Sequence, residues 1–120
     1  MGEVVLLGQK YIIRHNARKV SEKFDEFFTL FRLLGYSIER NEKHLNFFYN
    51  GMIIMRITPK GHHNVIKKLE FSLKNLQLEN KIHLLFKKKR IVRSSGYTLS
   101  FVVNDMDELP KILQFIIEEV

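Results

Sequence analysis

The stretch HLNFFYNGMIIMRITPKG (44–61) sets two apolar runs on either side of an Asn50-Gly51 dipeptide. Asn and Gly tolerate the positive φ that both central positions of a type I′ turn require, and the twist of that turn matches the strands it joins. The segment therefore predicts a tight β-hairpin. A two-residue turn implies the register: Tyr49 faces Met52, Phe48 faces Ile53, Phe47 faces Ile54 and Leu45 faces Arg56. Because side chains alternate, one face is expected to carry Leu45, Phe47, Tyr49, Met52 and Ile54, and the other Phe48, Ile53, Met55 and Ile57. Both faces are apolar. Such a hairpin is either covered twice within its own domain or leaves one face as an interface, here Phe48, Ile53, Met55 and Ile57, for a protein partner or a second copy of the chain.

A sheet of this kind needs a cover, and the preceding segment supplies one. Over 17–34, Val20, Phe24, Phe27, Phe31 and Leu34 recur at steps of four and three, with Phe28 and Leu30 beside them, which is the period of an amphipathic helix. Asn16 or Ser21 suits its N-cap, and Glu22, Asp25 and Glu26 suit the positive end of its dipole. Gly35 stands where a left-handed C′ residue is expected. A phenylalanine stripe at this spacing is core. Upstream, the short runs 4–7 and 11–14 around Gly8-Gln9 predict either one interrupted strand or a small hairpin. The segment 36–40 predicts a strand leading into the central hairpin.

Beyond the hairpin, Pro59 to Asn64 interrupts the pattern. The run VIKKLEFSLKNL (65–76) fits two periods, since Leu69, Phe71 and Leu73 alternate as in a strand while Ile66, Leu69, Leu73 and Leu76 form a helical stripe. The strand is preferred, because Phe71 would fall on the polar face of the helix. A short helix is expected over 79–88, and a second hairpin from 90–94 and 97–103 about Ser95-Gly96. Asp105 is expected to cap a final helix over 106–119, with Leu109, Ile112, Leu113, Ile116 and Ile117 on one side and Pro110 in its first turn. The whole, residues 1–120, is expected to be a single α+β domain. Its antiparallel sheet of about five or six strands is covered by the Phe-rich N-terminal helix and the C-terminal helix.

Composition bounds the chemistry. Apolar residues make up 45% of the 120 and charged residues 28%, a balance that supports a folded core. The absence of cysteine excludes disulfides and thiolate metal sites and fits a reducing compartment. With no apolar run long enough to span a bilayer and no signal-peptide pattern, a soluble, cytoplasmic protein that does not enter membranes is expected. There is no nucleophile elbow, P-loop or dinucleotide glycine pattern, and no cofactor or metal is expected.

Charge is more informative. The net charge is +7, but from Arg56 to Arg93 eleven Lys and Arg stand against Glu70 and Glu79, a segment charge of +9, while the last seventeen residues carry −4. A basic middle suits a polyanion, DNA or RNA, gripped through its backbone by Arg56, Lys60, Lys67, Lys68, Lys87, Lys88, Lys89, Arg90 and Arg93. Tyr49 and Tyr97 are candidates for stacking on bases. The same lysines would equally blunt an exposed sheet edge. The leading expectation is a non-enzymatic nucleic-acid-binding module, and the second is a protein-interaction or assembly subunit using the apolar hairpin face.

A third possibility rests on histidines. Gly61-His62-His63, followed by Asn75 and then His83 with Lys87, resembles the residue order of the HNH nuclease motif. That resemblance implies a metal-dependent nuclease in which His63 activates water as base and His83 ligates a divalent ion. The paired zinc cysteines and Gly-rich turn found in many members of that family are absent from this chain.

Overall fold

The computed structural model describes residues 2–74, 91–92 and 99–119. The N-terminal runs form a hairpin, β1 (Gly2–Leu6) and β2 (Gln9–Ile13), turned by Leu7 and Gly8 at φ 49° and 84°. Helix α1 (Ala17–Leu33) follows and buries Val20, Phe24, Phe27, Phe28 and Phe31, the predicted stripe except for Leu34, which caps the helix and is exposed. Its C-terminus closes as a Schellman motif. Gly35 is left-handed (φ 93°) and donates its N–H to Arg32 O, the Tyr36 N–H reaches Phe31 O, and the Tyr36 ring rests 4.9 Å from that of Phe31.

Its N-terminus differs from expectation. Asn16 holds the N-cap position, but it is itself left-handed (φ 64°) and makes no side-chain cap; its Nδ2 donates instead to Met106 O at 3.4 Å, tying the helix start to the lead into the last helix. The acids also lie beyond the first turn. Glu22 and Glu26 answer Arg18 and Lys23 in helical ion pairs rather than the dipole.

Strands β3 (Ser37–Asn41), β4 (His44–Tyr49), β5 (Met52–His62) and β6 (Val65–Leu73) form an antiparallel meander. Asn50 and Gly51 are left-handed at φ 51° and 78°, as a type I′ turn demands. Segment 65–76 is thus a strand through Leu73, and Pro59 does not end β5. It stands past His44, the first residue of β4, on a free edge where proline is tolerated.

Strand β6 is the hub. One edge pairs with β5; the other pairs with β2, in parallel, at Val65 and with β8 (Leu99–Val103) from Leu69 to Leu73. Strand β7 (Ile91–Val92) pairs antiparallel with β8, in keeping with the second hairpin, whose turn lies outside the described residues, as does the helix expected over 79–88. The described residues therefore contain one eight-stranded, mostly antiparallel sheet. Helix α2 (Leu109–Glu119) buries Leu109, Ile112, Leu113 and Ile116. It begins three residues later than expected, because Asp105 turns back on the N–H of Asp107 before the helix starts.

The central hairpin departs from the expected register. Tyr49 faces Met52 and Phe48 faces Ile53, but a β-bulge at Phe47/Phe48 leaves Ile54 unpaired in this ladder, so Phe47 faces Met55 and Leu45 faces Ile57. The extra residue moves Met55 and Ile57 to the helix side, where both are buried with Leu45 and Phe47. Of the four residues expected as an interface, only Phe48 and Ile53 retain partial exposure. The helix-side face is continuous across strands, with Leu45, Ile57, Phe71 and Phe101 in one register row, and the Phe71 and Phe101 rings stacked at 5.0 Å. Behind it a polar row, Asn46, Arg56, Ser72 and Ser100, runs across the opposite face.

Candidate functional site

Beyond His44, where β4 begins, the four residues Pro59 to His62 of β5 overhang and pair only with β6. A second bulge interrupts that pairing. Lys60 faces Lys68, Gly61 faces Ile66, and Lys67 is the extra residue between them. Gly61 makes this possible: a Cβ there would overlap the Val65 carbonyl oxygen and stand 2.8 Å from its carbon and 3.1 Å from Lys67 N. Only a residue without a side chain admits so close a backbone approach. The bulge therefore gathers Lys60, Lys67 and Lys68 at one end of the hairpin, all exposed, with Lys60 Nζ 2.6 Å from Glu70 Oε2.

Of the other cations expected to bind phosphate, Arg56 is half-buried and donates Nε to Asn46 Oδ1 at 3.0 Å, which satisfies a buried amide. Lys87, Lys88, Lys89, Arg90 and Arg93 lie outside the described residues, as do Tyr97 and His83. His63 occupies, with Asn64, the turn from β5 to β6, both left-handed at φ 51° and 63°, and its ring lies 5.1 Å from that of His62. Among the described residues, no three His, Asp or Glu side chains converge as a metal site would require.

The overhang also borders a cleft of about 650 Å³, closed by Gln9 and Tyr11 of β2, by Arg40 of β3 and by the Glu42-Lys43 turn. Sequence reasoning missed this site. Its members come from three separate segments, 9–11, 40–44 and 58–66, so no spacing along the chain announces it. Arg40 is its centre, donating from Nη2 to Leu6 O (2.9 Å) and to the Tyr11 hydroxyl (2.8 Å) while its guanidinium carbon lies 5.4 Å from the Tyr11 ring centroid. These contacts join β3 to the β1–β2 hairpin across the cleft. His44 lines the wall and shares a 2.7 Å hydrogen bond with the Thr58 hydroxyl through Nδ1.

Burial pushes the pKa of His44 below its ordinary value of 6.5, and the Arg56 charge adds to the effect, with Lys60 acting the same way and Glu42 and Glu70 opposing it. A folded-state pKa below the unfolded one means that the unfolded chain binds the proton more readily. The contribution of His44 is therefore fully present above pH 6.5 and is lost as pH falls below it. Urea unfolding at about pH 5 and pH 7.5 is expected to show a smaller acid-induced loss of stability in His44→Gln than in the wild type. Equal losses would show that His44 carries no such linkage.

At the far end of the molecule, exposed apolar side chains gather around the hairpin tip and the end of α1: Leu33, Leu34, Tyr49 and Met52, with Tyr36 against Tyr49 at 5.0 Å. No helix of the described residues is long and apolar enough to cross a membrane. No protein-family model, no curated protein and no solved structure matches the chain.

Proposed function

We propose that this protein binds the phosphate backbone of nucleic acid through the projecting end of the β5–β6 hairpin. The observation that carries this reading is the bulge that sets Lys60 against Lys68 with Lys67 between them. Like charges directly opposite across a ladder destabilise it, and among the described residues Glu70 alone forms an ion pair with the cluster. A polyanion relieves that repulsion and gains counterion release in return. The asymmetry of the sequence supports the same reading, since the −4 charge of the last seventeen residues turns the acidic end away from an approaching phosphate chain. The basic run Lys87 to Arg90 and Arg93 belong to this reading through sequence alone.

The test is a salt titration of DNA and RNA oligonucleotide binding followed by fluorescence anisotropy. The wild type is expected to lose affinity with a log–log slope of about −3 or steeper, and replacing Lys60, Lys67 and Lys68 together by Gln to flatten it by about 2 to 3. Absence of binding at low salt, or an unchanged slope in the triple variant, would remove the proposal.

A further inference from the structure

Arg40 presents an unbalanced charge. A partly buried guanidinium is ordinarily paired with a carboxylate, because desolvating it otherwise costs free energy. Among the described residues Arg40 has no such partner. Both of its hydrogen bonds leave from Nη2 to neutral oxygens, those of Leu6 and Tyr11, and its Nε is buried without an acceptor. The same contacts lock the group in place against the Tyr11 ring, so its orientation is set before any ligand arrives.

The surroundings match an anion. Lys43, exposed on the turn and in no ion pair among the described residues, lines the cleft, as does Lys60, which is shared with Glu70. Glu42 is the single carboxylate in the lining, and Gln9 and Asn64 add neutral donors. At about 650 Å³ the cleft has the volume of a small-molecule site, well beyond what one ion needs.

We propose that this cleft binds a phosphate monoester, with Arg40 and Lys43 as the charged anchors and the organic portion lying along Tyr11 and Pro59. The guanidinium charge, held in orientation by its two Nη2 hydrogen bonds, suits a phosphate oxygen, and the Lys43 ammonium adds to it. The inference does not depend on nucleic-acid binding by the lysine cluster. The phosphate can come from a free nucleotide or from the 5′ end of an oligonucleotide.

The test is an amide NMR titration of the full chain with inorganic phosphate, adenosine 5′-monophosphate, and one short oligonucleotide carrying either a 5′-phosphate or a 5′-hydroxyl. Saturable shifts at Tyr11, Arg40 and Lys43 are expected with the monophosphate. Lys43→Gln and Arg40→Lys should each weaken it about tenfold, the latter keeping the charge but losing the contacts that fix its orientation. Arg40→Met should abolish it; should that variant not fold, the other two decide. Lys67→Gln with Lys68→Gln should leave monophosphate binding unchanged even where it weakens oligonucleotide binding, so the two sites can fail separately. Preference for the 5′-phosphorylated oligonucleotide over the free nucleotide would assign the ligand to a strand end, and equal affinity to a small molecule. No saturable shift up to about 10 mM of either phosphate or nucleotide, or an affinity unchanged in both Lys43→Gln and Arg40→Lys, would overturn the proposal.

Discussion

Gly61→Ala is expected to destabilise the protein by about 3 kcal/mol, near the upper end of what overpacking ordinarily costs. The new methyl would overlap the Val65 carbonyl oxygen, and backbone cannot yield as the far end of a flexible side chain can. Relief requires β5 and β6 to part at the bulge, which gives up the pairing of Gly61 with Ile66 and of His62 with Val65. It also disturbs β2, whose Ile12 N–H donates to Asn64 O at 2.8 Å. For a chain of this length the loss corresponds to a fall of roughly 10 °C in the thermal midpoint by calorimetry or circular dichroism. Because the bulge sets Lys60 against Lys68, the proposed nucleic-acid binding should weaken even at temperatures where the variant remains folded. A midpoint within about 2 °C of wild type would show that the backbones do not approach so closely.

Phe47→Ala is expected to cost about 4 kcal/mol, a large part of the stability of a domain this size. Its ring is fully buried where α1 meets the sheet, with centroids 5.6, 6.0 and 5.2 Å from Phe27, Phe28 and Phe31, so truncation empties the join between the two layers. Phe48, next in sequence, points to the opposite face and is only partly buried; Phe48→Ala should cost about 1 kcal/mol. Urea denaturation of both variants compares the two faces directly. Similar losses would mean that both sides of the hairpin are packed with equal density, contrary to this structure.

The N-terminal helix and the Asn50-Gly51 turn are legible because their signals are local. The Asn50-Gly51 turn needs two left-handed residues in succession, and the phenylalanines of α1 repeat at the helical period whatever lies beneath them. Segment 65–76 is harder, as its apolar residues satisfy two periods at once, and pairing with β5, β8 and β2 decides it in favour of a strand through Leu73. The basic character of the middle of the chain was equally plain in the sequence. Which lysines meet was not, because Lys60 and Lys67 come together only through the bulge that Gly61 permits. Arg40 gave no signal at all. An isolated arginine in a short edge strand looks like ordinary surface charge until β1 and β2 fold back to meet it.

By itself the sequence determined an α+β chain with a Phe-faced helix, a type I′ hairpin and a strongly basic centre, all properties of residues close together along the chain. Only the tertiary structure decided which hairpin residues are core, because a single bulge at Phe47/Phe48 carries Met55 and Ile57 to the helix side. Where that extra residue is absorbed depends on how the helices and β6 pack against the hairpin, and no local pattern encodes that choice. The same holds for the cleft, whose walls are close in space while their residues range from position 9 to position 66.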